Sequence, residues 1–330
     1  MRRLPLPCRS CGAAMLLAAL CLHGPVLDGG ERPPAAPPPA SAAEAARLAT
    51  AGRQGEALAM VEKLLAASPQ DVPAQRLRQD LMISSGRRDE LLAAYAREDG
   101  NPTMRALLRY LRARAETAPE KRRAELERVT ALEPRNFWAV YDLVPLCTAA
   151  GDLKAAERWA TAARDLRPGD PDVRNVLGDV CLQAGKLKEA EVELAEALRL
   201  RPKFPQALYN LGLLRAAAGK AKDAADLFAR AIEESPGFAE AWNNRGHCLA
   251  KLDQADESVA CYRKAVELKP DYGVAWNNLA VALYRKSDFW GAWAALEKAE
   301  KCGYTPSESF KRVLSKKLFP DKAPAPPAGK

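Results

Sequence analysis

The sequence predicts an all-α solenoid of helical hairpins, on three observations: a single internal period, small residues recurring at fixed places within it, and the absence of any strand pattern. From Pro205 to Tyr272 one segment is written twice, as PQALYNLGLLRAAAGKAKDAADLFARAIEESPGF and AEAWNNRGHCLAKLDQADESVACYRKAVELKPDY. Leu208 matches Trp242, Gly212 matches Gly246, Phe228 matches Tyr262, Ala231 matches Ala265 and Pro236 matches Pro270, a register of 34 residues. Closing prolines keep the same beat backwards through Pro202, Pro168, Pro134, Pro102 and Pro69, with only the earliest steps off by one or two residues.

The period has a steric reason. Counting Pro205 as the first position, small residues hold the eighth (Gly178, Gly212, Gly246, Ala280), the twentieth (Ala156, Ala190, Ala224, Ala292, with Ser258 the exception) and the twenty-seventh (Ala163, Ala197, Ala231, Ala265, Ala299). Bulkier residues at the fourth, seventh and twenty-fourth positions fill the gaps beside them, as ridges enter grooves where helices cross. Gly151, Gly185 and Gly219 stand where each first helix must stop in a left-handed cap, and Pro171 and Pro205 stand at a helix start, where a missing N–H costs nothing.

These residues resemble the tetratricopeptide repeat family, clearly from about Phe137 to Tyr304 and with increasing degeneracy before that. The resemblance implies a right-handed superhelix of about eight hairpins with a C-terminal capping helix, binding partners on its concave face.

The hairpins follow in order. The first, Ser41 to Pro69, is alanine-rich with Gly52 as its stop, as suits a terminal cap. The second, about Val72 to Pro102, keeps Gly86, Leu91 and Tyr95 in register. In the third, Thr103 to Asn136, Thr117, Ala118 and Pro119 replace the turn glycine, which predicts a locally irregular turn. This completes a degenerate segment, 41–136. Regular repeats occupy 137–306, and a capping helix spans 307–319, with Thr305 and Glu308 as its capping box, Pro306 at its first position, and Phe310, Val313 and Leu314 as its apolar stripe. Trp290 and Trp293 are expected beneath that helix, with exposed aromatics at a partner interface as the alternative.

The ends differ in kind. Arg2 and Arg3 precede an apolar run from Ala13 to Leu22, ended by His23, Gly24 and Pro25, so residues 1–24 are expected to act as an export signal. A cytoplasmic protein with an apolar N-terminus is the alternative, and lipidation at Cys21 is disfavoured by the large Leu20 before it. Export would place the chain in the periplasm, at the cell surface or in the medium. A proline-rich spacer is expected at 25–40 and a disordered tail at 320–330.

Chemistry finds little footing. The chain has two histidines, His23 and His247, and neither has a catalytic partner in sequence; phosphate-loop, HExxH and GxSxG motifs are absent. Cys8 and Cys11 have no second pair, so no metal or cofactor is expected, and Cys147 and Cys181 are expected unbridged. A net charge of +8 over 330 residues is a poor argument for nucleic acid. The basic run Arg105, Arg109, Arg112, Arg114 and Lys121 to Arg123 is interrupted by Glu116, Glu120, Glu125 and Glu127, and reads as a solvated surface.

The groove face is expected at the second, fifth, sixth, ninth, twelfth and thirteenth positions of each first helix. Asn210, Asn244 and Asn278 hold the sixth position, Asn243, Asn277 and Asn175 the fifth, and His247 a ninth, while Asp142 continues the row imperfectly and Val176 breaks it. A carboxamide both donates and accepts, so such a row can pair with the backbone of an extended peptide. In this the stretch resembles the asparagine-lined superhelix of the O-linked N-acetylglucosamine transferases, whose catalytic domain is absent from this sequence. The expected function is a noncatalytic adaptor for a protein or peptide, with the substrate-recognition subunit of a separate glycosyltransferase or cell-wall enzyme as the alternative. A membrane role is expected only if the N-terminal segment is retained or lipidated.

Overall fold

The computed structural model describes residues 41–97, 100–101 and 104–319. The expected signal, spacer and tail lie outside these residues, as does Pro102. Among the described residues there are only helices, and the chain divides into two units, one ending at Leu166 and one beginning at Arg167. No described helix is long and apolar enough to cross a membrane.

In the first unit, α1 (Ala42–Thr50) pairs with α2 (Gln54–Ala67), α3 (Val72–Ser84) precedes α4 (Arg88–Arg97), α5 (Arg105–Arg114) pairs with α6 (Pro119–Leu132), and α7 (Phe137–Ala149) pairs with α8 (Leu153–Leu166). Starts are fixed by local chemistry. Ser41, Asp71 and Asn136 each accept a backbone N–H of the first turn of the helix they precede, satisfying a donor that the helix cannot. The α5–α6 connection has no left-handed glycine and enters α6 through Pro119 at its first turn.

The second unit repeats one hairpin four times: α9 (Pro171–Gln183) with α10 (Leu187–Leu200), α11 (Pro205–Ala217) with α12 (Ala221–Glu234), α13 (Ala239–Lys251) with α14 (Ala255–Leu268), and α15 (Gly273–Arg285) with α16 (Phe289–Lys301). A closing helix, α17 (Glu308–Leu318), packs on α16. The small positions sit at the crossings. Ala190, Ala197, Ala224, Ala231, Ala265, Ala292, Ala299 and Ser258 are all 0% exposed. A Cβ on Gly178 would lie 2.7 Å from Leu194 Cγ, and one on Gly212 would lie 2.7 Å from Phe228 Cε1. The eighth position is small because the twenty-fourth fills it.

First helices end in a six-residue cap in which two backbone N–H groups return to the last turn. Gly185 N–H reaches Leu182 O at 3.1 Å and Lys186 N–H reaches Cys181 O at 2.9 Å, which requires the left-handed φ of +76° at Gly185. Gly219 repeats this. Later repeats keep the geometry without the glycine, for Asp253 and Ser287 take φ of 58° and 64°. The backbone shape is demanded by the hairpin and not by the residue that supplies it.

The C-terminal helix corrects four expectations. It starts at Glu308 with Ser307 as its N-cap residue, so Thr305 and Glu308 form no capping box and Pro306 lies ahead of the helix. Leu314 is fully buried, and Phe310 and Leu318 pack against the same cluster, but Val313 is 45% exposed. Leu318 takes the place expected of Val313, because residues four apart share a face more closely than neighbours do. Trp290, expected beneath α17, is 63% exposed and makes a T-shaped contact with Phe319, at 5.7 Å between ring centres. Trp293 is partly buried.

Ser287 gives a direct check on the cap. A left-handed non-glycine residue costs about 1–2 kcal/mol, and glycine's greater freedom in the unfolded chain returns part of that. Ser287→Gly should therefore raise the unfolding free energy by about 0.5–1 kcal/mol in a denaturant titration, and a loss of stability would show that the serine side chain holds the cap.

Candidate functional site

The first helices of the second unit carry the predicted row, and in the structure side-chain hydrogen bonds from its amides link each repeat to the one before. Asn210 Nδ2 on α11 donates to Asn175 Oδ1 on α9 at 3.0 Å, Asn244 Nδ2 on α13 donates to Tyr209 Oη on α11 at 2.9 Å, and Asn278 Nδ2 on α15 donates to Asn243 Oδ1 on α13 at 2.9 Å. Each bond runs from the sixth position of one repeat to the fifth of the repeat before it. Asn243 Nδ2 adds a 3.2 Å bond to Asn244 Oδ1, linking the last two steps within α13.

The row is thus shared between fold and surface. Asn210 and Asn243 are buried, at 7% and 4% exposed, while Asn175, Asn244, Asn277 and Asn278 are half-buried. Each bond uses one amide hydrogen, so the second hydrogen and a carbonyl lone pair remain to most members of the row. Asn277 and His247 take no part in these bonds. His247 is exposed, and desolvation by the surrounding protein, then the Lys251 ammonium, lowers its pKa from the usual imidazole value. Tyr209 was not singled out from sequence; its fifth position, shared with Asn243, is the signal that marks it.

Asp142 belongs to a different arrangement in the first unit. Its Oδ2 accepts from Tyr110 Oη and Arg76 Nη1, both at 2.7 Å, and lies 3.4 Å from Arg114 Nε. Arg76 also bonds the Tyr110 hydroxyl and lies over the Trp138 ring at 4.5 Å. Burial, then the Asp142 carboxylate, pushes the Tyr110 pKa well above that of an exposed phenol. Arg114 corrects the reading of the basic hairpin as wholly solvated. It is 9% exposed, donates to both Asp80 oxygens at 2.8 and 2.9 Å and to Gln79 Oε1 at 2.8 Å.

The rest of that hairpin's basic face stays at the surface. Arg109 pairs with Glu133 at 2.7 Å, Arg112 donates to Tyr95 O at 3.0 Å, and Arg105 is exposed. A groove of about 480 Å³ beside them is also lined by Glu116 and Glu125. No group of His, Cys, Asp or Glu that could hold a metal occurs among the described residues. Cys147, Cys181, Cys248 and Cys261 are buried and form no disulfide among the described residues, and burial raises the Cys248 thiol to about 11, which makes it a poor nucleophile.

Antiparallel helical hairpins repeated at one period, with small residues at every crossing, define an all-α helical-repeat protein. Models of the tetratricopeptide repeat match residues 141–203, 175–238 and 239–272, and the chain contains tetratricopeptide repeats over these residues. Such proteins bind proteins or peptides and are typically noncatalytic scaffolds. A sequence search of curated proteins finds no match. Among solved structures, the APC/C hetero-tetramer Cut9-Hcn1 is similar over 84% of this chain and 55% of that one, at 18% identity and a TM-score of 0.67. The chain therefore spans about half the length of that relative. YrrB, described as a TPR protein with an unusual peptide-binding site, is similar at 21% identity over 60% of this chain and 98% of that one, TM-score 0.43. MamA from Desulfovibrio magneticus RS-1 is similar at 20% identity over 51% and 94%, TM-score 0.45. At these identities the likeness is one of fold.

Because the amide row links repeats, it also carries stability, contrary to the expectation that these side chains face only a groove. Replacing Asn210, Asn244 and Asn278 together with alanine removes three inter-repeat bonds, each worth about 0.5–1.5 kcal/mol. The triple variant should lose roughly 1.5–4.5 kcal/mol in a denaturant titration. An unchanged midpoint would mean that these bonds contribute nothing net against water.

Proposed function

We propose that the chain is a noncatalytic adaptor that holds an extended segment of a protein partner across α9, α11, α13 and α15, and that it works outside the cytoplasm. The amide row is the observation that carries the first part. Fixed by bonds to one another, these side chains are held in set rotamers, so a ligand that uses their remaining donors and acceptors does not have to order them first. An amide reads peptide groups and not side chains, which suits a partner bound largely through its backbone. The corresponding face of the first unit gives no such reading, since Asp142 there is already engaged by Arg76, Tyr110 and Arg114. Export is supported by the order of charge, apolar run and breaker in residues 2–25.

A photo-reactive phenylalanine analogue at Asn277, tested beside one at Val192, a 66% exposed residue of α10, separates the faces. Adducts from position 277 alone are the expected result, and adducts from position 192 alone would move the binding surface. If the captured partner is an enzyme, the adaptor is its substrate-recognition subunit. The mature N-terminus of natively expressed protein should lie past about residue 24, and a chain that begins at Met1 would remove the export proposal.

A further inference from the structure

The charges on the first-helix face of the second unit are of two kinds. Asp172 pairs with Arg201 at 2.6 Å, Glu240 with Lys269 at 2.9 Å and Arg285 with Asp253 at 3.1 Å, so these three are neutralised by the repeat that carries them or by its neighbour. Two others are not. Asp179, at the ninth position of α9, receives a 2.8 Å bond from Gln183 Nε2 and has no ion pair among the described residues. Lys251, at the thirteenth position of α13, is exposed and likewise has none, with His247 one turn before it.

We infer that the segment bound on this face presents a basic side chain to Asp179 and an acidic one to Lys251, so that the partner is a dipolar extended peptide and not merely a polar one. This deepens the proposed function and rests on it. A single amide dipole is a weak substitute for a cation beside a carboxylate, and Asp179 is half-buried, where desolvation raises its pKa. A lysine or arginine of the partner would restore the charged form. At the other end the Lys251 ammonium acts on His247, and no carboxylate pairs with it among the described residues.

The spacing follows from the repeat. Neighbouring first helices lie roughly 9 Å apart, so α9 and α13 are separated by about 20 Å. An extended chain crosses that in roughly six residues at about 3.3 Å each. A basic and an acidic residue about six positions apart are therefore the signature. Either chain direction can satisfy it, since reversing the peptide exchanges which residue comes first.

The probe is a labelled dodecapeptide of alanine and serine with one lysine and one glutamate roughly six residues apart. Control peptides carry two glutamates, two lysines, or the lysine and glutamate side by side, and binding to the full chain is read by fluorescence anisotropy. The separated pair should bind about fivefold or more tighter than the two-glutamate peptide. Asp179→Asn should erase that preference and Asp179→Lys reverse it, with circular dichroism confirming that both variants fold. Equal binding of all the peptides, or a preference that survives in Asp179→Asn and Asp179→Lys, overturns the inference, as does no binding by any of them. Adduct formation from position 277 is independent of these charges, so the groove itself can stand while this inference falls.

Discussion

How closely two helices can approach sets nearly everything else in this structure. Ala197, Ala231, Ala265 and Ala299 are wholly buried at the same position of four hairpins, and Gly178 and Gly212 admit Leu194 and Phe228 into space that a Cβ would occupy. Backbones held that near each other bury little side chain at the crossing itself but bring long stretches of ridge and groove into contact. Each crossing fixes the angle at which the next hairpin leaves. A period of 34 residues is what remains when every hairpin must satisfy the same two crossings.

That constraint also decided what could be read from the sequence. The left-handed glycines Gly151, Gly185 and Gly219 and the proline starts Pro171 and Pro205 were legible because successive hairpins share them, and Asp253 and Ser287 show the shape outlasting its preferred residue. Side-chain partners were less legible. The amide bonds join residues 35 apart, one more than the period, so position within a repeat gave their face but not their mates. Arg114 was counted with a solvated basic face because its partners, Asp80, Gln79 and Asp142, come from two other hairpins. At the C-terminus the periodic logic ends. There Trp290 and the start of α17 depend on a single local packing, with no second copy to reveal it.

The two units spend their polar side chains differently. The first gathers Arg76, Arg114, Asp80 and Asp142 into an ionic cluster among α3, α5 and α7, in which Arg76, Arg114 and Asp142 are largely withdrawn from water and removing one of these charges would leave its partners uncompensated. In the second, neutral amides bridge the repeats and keep spare hydrogen-bonding capacity. An ionic cluster satisfied by its own chain has little left to offer a ligand. Amides in fixed rotamers keep donors and acceptors to offer, and this difference, more than net charge, is why peptide recognition is proposed for the second unit.

The claim that close crossings govern the fold is tested most directly by a double-mutant cycle on Gly212 and Phe228. A Cβ at position 212 would lie 2.7 Å from the Phe228 ring, so Gly212→Ala alone should cost about 1–3 kcal/mol by overpacking. Phe228→Leu alone should also destabilise, by leaving space beside the glycine. Combined, the smaller side chain makes room for the new methyl. The account predicts that the double variant is more stable than the sum of the single losses by about 1 kcal/mol or more, within the range expected for residues in contact. Strict additivity would contradict it, and would mean that the small residue at the eighth position is not there to admit its neighbour.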